Sequence, residues 1–186
     1  MDLIIFANPN SDSSHGAAVL KHVTQKLKHA GKKFEVLDLY KENFDPVLRY
    51  DKTDPNVAKY QEMMKNANRY IFIYPIWWYT TPAILKGFID KVLTAGFAFN
   101  YGPDGRPVGH LKDKKAIVIN TFGGPKEEIA MTSDAMANTF HKGTLSYCGI
   151  THVHRVDWFG ARKQNEPLPA EVAAQIDKSL ELDASG

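Results

Sequence analysis

This 186-residue chain predicts a doubly wound α/β fold, five parallel strands in the order 2-1-3-4-5 with helices on both faces. Three observations carry that reading. Short runs rich in β-branched and aromatic residues alternate with helical stretches, the pattern of a parallel sheet covered on both sides. The first run opens into a hydroxyl-bearing loop ahead of a helix, where a dinucleotide fold would place Gly-x-Gly-x-x-Gly. The third run ends in three successive aromatic residues, Trp77, Trp78 and Tyr79. Flat side chains at the carboxyl end of a buried strand lie where open α/β sheets bind planar ligands.

Leu3 to Ala7 is the first strand, and it meets a loop at Asn8-Pro9-Asn10 that runs on through Ser11 to Ser14. A helix follows, with Ala18, Leu20, Val23, Leu27 and Ala30 on one face and Gly31 as its stop. Phe34 to Leu39 is the second strand. Tyr40 to Asp54 is a polar, proline-containing excursion, and Pro55 to Asn66 a helix opened by its proline. Tyr70 to Pro75 is the third strand and Pro82 to Leu93 the helix after it. Gly96 to Gly109, rich in glycine, proline and aromatics, is expected to be a long irregular loop, and such loops are more often functional than idle. Ala116 to Asn120 is the fourth strand, ending in the turn Thr121 to Pro125. A helix over Met131 to Tyr147, a fifth strand over Thr151 to Trp158 and a closing helix over Pro169 to Leu182 complete the chain. With no repeat or linker, residues 1–186 read as a single domain.

Composition narrows the function classes. A net charge of +2 makes no case for nucleic acid, and no apolar run approaches the ~20 residues of a membrane span. Met1 to Phe6 enters a strand directly, without the basic region of a signal peptide. The one cysteine, Cys148, excludes an intrachain disulfide and fits a reducing, cytoplasmic compartment; among Leu145, Tyr147 and Ile150 it reads as a small buried hydrophobe. His15, His22 and His29 recur every seven residues, about 10 Å apart along a helix, too far to share an ion. They are expected on a solvated face, and no metal site is predicted.

Backbone N–H groups at a helix start, with Ser11, Ser13 and Ser14 beside them, suit a phosphate. The bland alternative is that Ser13 or Ser14 simply caps the helix. In the 2-1-3-4-5 order, strands one and three are neighbours at the switch point, so the serine loop lies beside the aromatic loop. A phosphate at one and a flat ring at the other describe a flavin mononucleotide.

Asn8-Pro9 through Ser14, Asp38-Leu39-Tyr40 with Phe44-Asp45-Pro46, the Pro75 to Val92 block, Phe97-Ala98-Phe99 with Tyr101-Gly102, and Thr121 to Gly124 together resemble the flavodoxin-like NAD(P)H:quinone oxidoreductases. That group includes quinone reductases, drug-activity modulators and the ancillary flavoproteins of potassium efflux systems. The resemblance spans nearly the whole chain. It implies a flavin-dependent two-electron reductase, a homodimer with active sites at its interface, in which hydride passes from NAD(P)H to flavin N5 and then to a quinone. Ser13, Ser14 and His15 match residues that wrap the flavin phosphate. Pro75, Ile76, Trp77, Trp78 and Tyr79 match the loop that cradles the ring. Thr121, Phe122, Gly123 and Gly124 match the loop at its pyrimidine end, and Phe99 and Tyr101 match aromatics that sandwich the substrate from the partner subunit.

The departures concern proton handling and cofactor length. A tyrosine and a histidine that assist hydride transfer in the mammalian enzymes correspond to Ile129 and Ala135, neither of which donates a hydrogen bond, so no catalytic residue is assigned. His141, nearby, has a different offset and is expected at the surface. Without the long carboxyl-terminal extension of the larger FAD enzymes, FMN is favoured and FAD is the alternative. A second function, a regulatory subunit of a membrane potassium transporter, would make the reductase activity incidental. A one-electron carrier is disfavoured, because such carriers are strongly acidic for docking.

Overall fold

The computed structural model describes residues 1–49, 54–132, 134–163 and 166–182. Residues 50–53 of the expected 40–54 excursion lie outside the described residues. The chain forms β1 (Asp2–Phe6), α1 (His15–His29), β2 (Phe34–Asp38), α2 (Asn56–Asn66), β3 (Arg69–Pro75) and α3 (Ala83–Val92). It continues through β4 (Phe99–Tyr101), β5 (Pro107–Gly109), β6 (Lys115–Phe122), α4 (Glu127–Met131), a π-helix (Ala137–Leu145), β7 (His152–Phe159) and α5 (Ala170–Leu182). The main sheet is five-stranded in the order β2-β1-β3-β6-β7, and every pairing is parallel. Discounting β4 and β5, which pair only with each other, this is the expected 2-1-3-4-5 order.

Alternation along the strands sorts side chains into two cores. Ile4, Phe6, Ile71, Ile73, Ile117 and Ile119 pack on α1 and α5. Leu3, Ile5, Tyr70, Phe72, Tyr74, Ala116 and Val118 pack on α2, α3 and the π-helix. β1 and β3 are buried along their whole length, because helices cover both of their faces. α3 is the most apolar helix. Its Gly87 lies so close to the 40s loop that a Cβ would sit 2.3 Å from the Pro46 carbonyl oxygen, so only glycine fits there.

Two expectations fail locally. The segment Met131 to Tyr147 is not one α-helix but the end of α4, a turn and the π-helix. Small hydroxyl residues explain the wide turn. Thr144 Oγ1 donates to the Thr139 carbonyl (3.2 Å) and Ser146 Oγ to the His141 carbonyl (3.1 Å), each five residues back. Gly143 leaves room for the wide register, since a Cβ there would lie 3.0 Å from the Asn138 carbonyl oxygen. The expected loop Gly96 to Gly109 carries the antiparallel β4–β5 hairpin. This hairpin packs by Gly109 against Cys148 and leads into the start of β6. It therefore belongs to the end of the sheet where β6 begins.

Candidate functional site

At the opposite end, where β1, β3 and β6 finish, three loops come together. The first is organised before any ligand arrives. Asn8, buried beside Gly16, accepts the Asn10 N–H (3.0 Å), and Asn10 Oδ1 accepts the N–H groups of Asp12 (3.2 Å) and Ser13 (3.0 Å). Ser14 is the N-cap of α1, accepting the Ala17 N–H at 3.0 Å, and its hydroxyl donates to the Asn10 carbonyl. Ser13 Oγ accepts from Asn10 Nδ2 at 2.8 Å. Both serines thus have local structural duties at the positive end of a helix dipole. His15 stands edge-on against Trp158 (4.8 Å between centroids) with Nε2 3.3 Å from Glu166.

The second loop is a two-residue hairpin. Trp77 and Thr80 exchange N–H···O bonds at 3.2 and 3.1 Å around Trp78 and Tyr79, which have φ of 51° and 59°. Positive φ at both central residues is the type I′ signature, normally filled by Asn-Gly. Here two bulky aromatics hold a conformation that costs L-residues about 1–2 kcal/mol each. Trp78 is 94% exposed and Trp77 45%. Pro75 and Ile76 are buried, and the Ile76 N–H donates to the Thr121 carbonyl at 2.8 Å, which ties this loop to the third.

β6 runs two residues further than expected, so Thr121 and Phe122 are buried strand residues rather than turn residues. Phe122 packs against Tyr79 (6.1 Å) and Phe159 (6.2 Å). The two glycines that follow serve different ends, and neither has a positive φ. At Gly123 a Cβ would meet nothing nearer than 4.0 Å, which leaves its backbone open to an approaching group. At Gly124 a Cβ would lie 2.7 Å from the Phe122 ring and 2.3 Å from Glu128 Oε2. Sequence reasoning missed the residues that brace this loop. Gly160 and Ala161 N–H groups donate to the Gly124 and Phe122 carbonyls (both 3.1 Å), and Arg162 Nε donates to the Gly123 carbonyl.

Phe99 and Tyr101 are not brought to these loops. They sit on β4, edge to face at 5.6 Å, with Phe99 against Tyr147 at 4.9 Å. α3 starts beside the aromatic hairpin and runs back along the sheet for ten residues, about 15 Å. That displacement puts the pair at the far end. Tyr101 is 64% exposed there.

Three histidine expectations are corrected. His15 and His22 do not lie on a solvated face; His22 Nε2 is 2.7 Å from Asp177 Oδ1 on α5, because α5 packs on α1. His29, in contrast, is exposed. His141 is buried rather than superficial, because the π register turns it inward with Phe140 and Leu145. Burial and the nearby Arg155 charge push its pKa down to about 4. Cys148 is buried as expected, with its thiol pushed up to about 11 by burial.

No helix among the described residues is long and apolar enough to cross a membrane. A profile of the flavodoxin-like fold matches residues 3–180. An uncharacterized NAD(P)H oxidoreductase of Haemophilus influenzae is 32% identical over 161 residues, 81% of this chain and 79% of its own. An FMN-dependent NADH:quinone oxidoreductase of Caldicellulosiruptor saccharolyticus is 33% identical over 163 residues, 80% of each chain. Among solved structures, an NAD(P)H:quinone oxidoreductase from Methanothermobacter marburgensis superposes with a TM-score of 0.77 at 28% identity, covering 96% of this chain and 92% of its own. The strand order, the three convergent loops and these likenesses agree, and the chain belongs to the flavodoxin-like family of NAD(P)H:quinone oxidoreductases.

Proposed function

We propose that this protein is a two-electron reductase that carries FMN across the ends of β1, β3 and β6 and passes reducing equivalents from NAD(P)H to a quinone. The single observation that carries the reading is the meeting, at one sheet end, of a capped helix N-terminus with an exposed aromatic hairpin tied to the Thr121 loop. Bound FMN supplies the hydride chemistry; the protein supplies orientation and electrostatics. Ser13, Ser14 and His15 hold the phosphate, the ordered Asn8 to Ser14 loop sparing the entropy of arranging those donors on binding. Pro75 to Tyr79 flank the ring, and Trp78, exposed on a strained turn, offers its indole to it. Thr121 to Gly124 meet the pyrimidine end, where the open backbone at Gly123 lets main-chain groups approach and stabilise negative charge.

The position of Phe99 and Tyr101 makes a second copy of the chain part of this reading. Since α3 carries them to the far end of their own sheet, they reach a substrate only across a homodimer interface, as aromatic walls over the partner's ring. The protein works as a cytoplasmic enzyme. The named relatives lend no support to a transporter subunit.

Purified protein is expected to be yellow, to release FMN identifiable by mass, and to oxidise NADH or NADPH with a quinone acceptor. A chain that stays colourless after reconstitution and shows no such turnover overturns the reading. Trp78→Ala is expected to weaken flavin retention with the fold intact; undiminished occupancy removes Trp78 from the site.

A further inference from the structure

Among the described residues, three buried side-chain atoms have no hydrogen-bond partner: Tyr74 OH, Asn120 Oδ1 and His141 Nε2. Tyr74 and Asn120 are fully buried and His141 is 9% exposed. Orphaned buried polar atoms are rare, because each forfeits its hydration. All three belong to one face of the sheet and the helix that covers it. Tyr74 and Asn120 are register partners on β3 and β6, so their side chains rise from the same face of adjacent strands. The π-helix covers that face, with the Phe140 ring edge-on to Tyr74 at 5.8 Å and His141 next along it. Asp157 is the register partner of Asn120 on β7.

The remaining polar groups here are paired in a way that leaves the orphans pointing inward. Asn120 Nδ2 donates to Asp157 Oδ1 (2.9 Å), which commits the amide orientation and turns Oδ1 away as a free acceptor. Asp157 also receives Arg155 Nε at 2.9 Å, and Arg155 Nη1 lies 2.8 Å from both Asp134 oxygens. Asp134 and Asp157 therefore share the Arg155 guanidinium, and no hydrogen bond joins either of them to His141 Nε2. With Arg155 close by and burial against it, the imidazole stays neutral and offers an acceptor as well as a donor.

We propose that Tyr74, Asn120 and His141 form an internal water site. One water accepts from the Tyr74 hydroxyl and donates to Asn120 Oδ1 and to His141 Nε2, the histidine proton residing on Nδ1. Three bonds are the usual complement of a buried water. Because Pro75 and Thr121 directly follow Tyr74 and Asn120, the water also fastens the π-helix to the two strand ends that lead into the aromatic and glycine loops. His141 is then a positioning residue for those loops. That last part rests on the flavin reading; the water site itself does not.

The first test uses the flavin-free chain. Long-range ¹H–¹⁵N correlation is expected to show His141 as the neutral Nδ1–H tautomer, with the Tyr74 hydroxyl proton in exchange contact with a long-lived water. An Nε2–H tautomer with no such water overturns the site. A double-mutant cycle of Tyr74→Phe and His141→Leu follows, read as unfolding equilibrium constants in denaturant. Two groups sharing one water are expected to be non-additive by about fivefold, within the range for coupled contacts. Strict additivity overturns the shared water. Should Tyr74→Phe fail to fold, Asn120→Leu replaces it in the same cycle. The second part is read by FMN titration of His141→Leu, with an expected rise in Kd of more than threefold. An unchanged Kd in a protein whose water is seen overturns the positioning role alone, whereas wild-type protein that binds no FMN overturns the flavin reading and leaves the water site standing.

Discussion

The aromatic hairpin at Trp77–Thr80 and the polar row beneath it are opposites. The hairpin exposes large apolar rings to solvent on a backbone held at positive φ. The row buries Tyr74 and Asn120 and half-buries Arg155 and Asp157, groups that water would hold more cheaply. Each departs from the arrangement that maximises stability; the row crosses β3, β6 and β7, and the hairpin follows the end of β3. The difference lies in compensation. The row offsets its cost with charge-assisted bonds, Arg155 to Asp157 and Asp134. The hairpin has no such return within the chain, since Trp78 touches almost nothing. A strained, exposed aromatic is therefore expected to find its compensation in a ligand, and a buried, bonded polar row in the architecture itself.

That contrast breaks most visibly at Arg155. Arg155→Ala strands Asp157 and Asp134 without their cation and is expected to cost about 3 kcal/mol in denaturant unfolding. A loss below 1 kcal/mol would place the row in the category of a surface ion pair. Acid gives a comparable effect by another route. His141 is held near 4 in the folded chain and titrates near its ordinary value when unfolded, so the unfolded chain binds the proton first. Stability is fully present above about pH 6.5, declines as pH falls toward about 4 and levels off below, a loss on the order of 3 kcal/mol. Burial pushes Asp134 up, but its bonds to Arg155 outweigh that and hold it below the ordinary carboxylate range, so its own contribution is lost only at lower pH. In His141→Leu the slope between 6.5 and 4 is expected to flatten; a persisting slope assigns it elsewhere.

Gly124→Ala sharpens the boundary between the two regions. Its Cβ would press on the Phe122 ring, and overpacking of this kind costs about 1–2 kcal/mol while displacing the loop that follows β6. Gly123→Ala meets open space and is expected to leave unfolding unchanged but to lower FMN affinity, measured by fluorescence titration. The smallest effect falls on the hairpin. Asparagine tolerates the left-handed region, so Trp78→Asn is expected to match or exceed wild-type stability by up to about 1 kcal/mol while retaining less flavin. Destabilisation would mean that Trp78 packs against its own chain.

Much of the sheet was legible because its signals are local. Apolar runs, proline and glycine stops and alternation mark the strands within a few residues, and the loop after β1 separates the two candidate orders. The three loops that meet at one sheet end were legible for the same reason, as short motifs at strand ends. The π-helix was not, since Thr144 and Ser146 favour a wider turn only through bonds to carbonyls five residues back, and Gly143 only by leaving room for it. His141 was misplaced as a consequence: an α-helical count turns it outward, and the π register turns it in. Glu166 and Arg162, from loops, and Trp158, from the end of β7, escaped because they are distant in sequence from the loops they brace, with no periodicity to mark them.

By itself, then, the sequence determined the layer order, the strand ends at which the three loops arise and the chemical character of each loop, all matters of short-range pattern. Only the tertiary structure decided which glycine is open and which is packed, that Phe99 and Tyr101 stand at the opposite end of the sheet from the three loops, and that Tyr74, Asn120 and His141 are buried with an atom each left without a partner. Those facts depend on register between strands and on the pitch of a helix. Both are set by packing across the whole core, where one residue of slip moves a side chain to the opposite face.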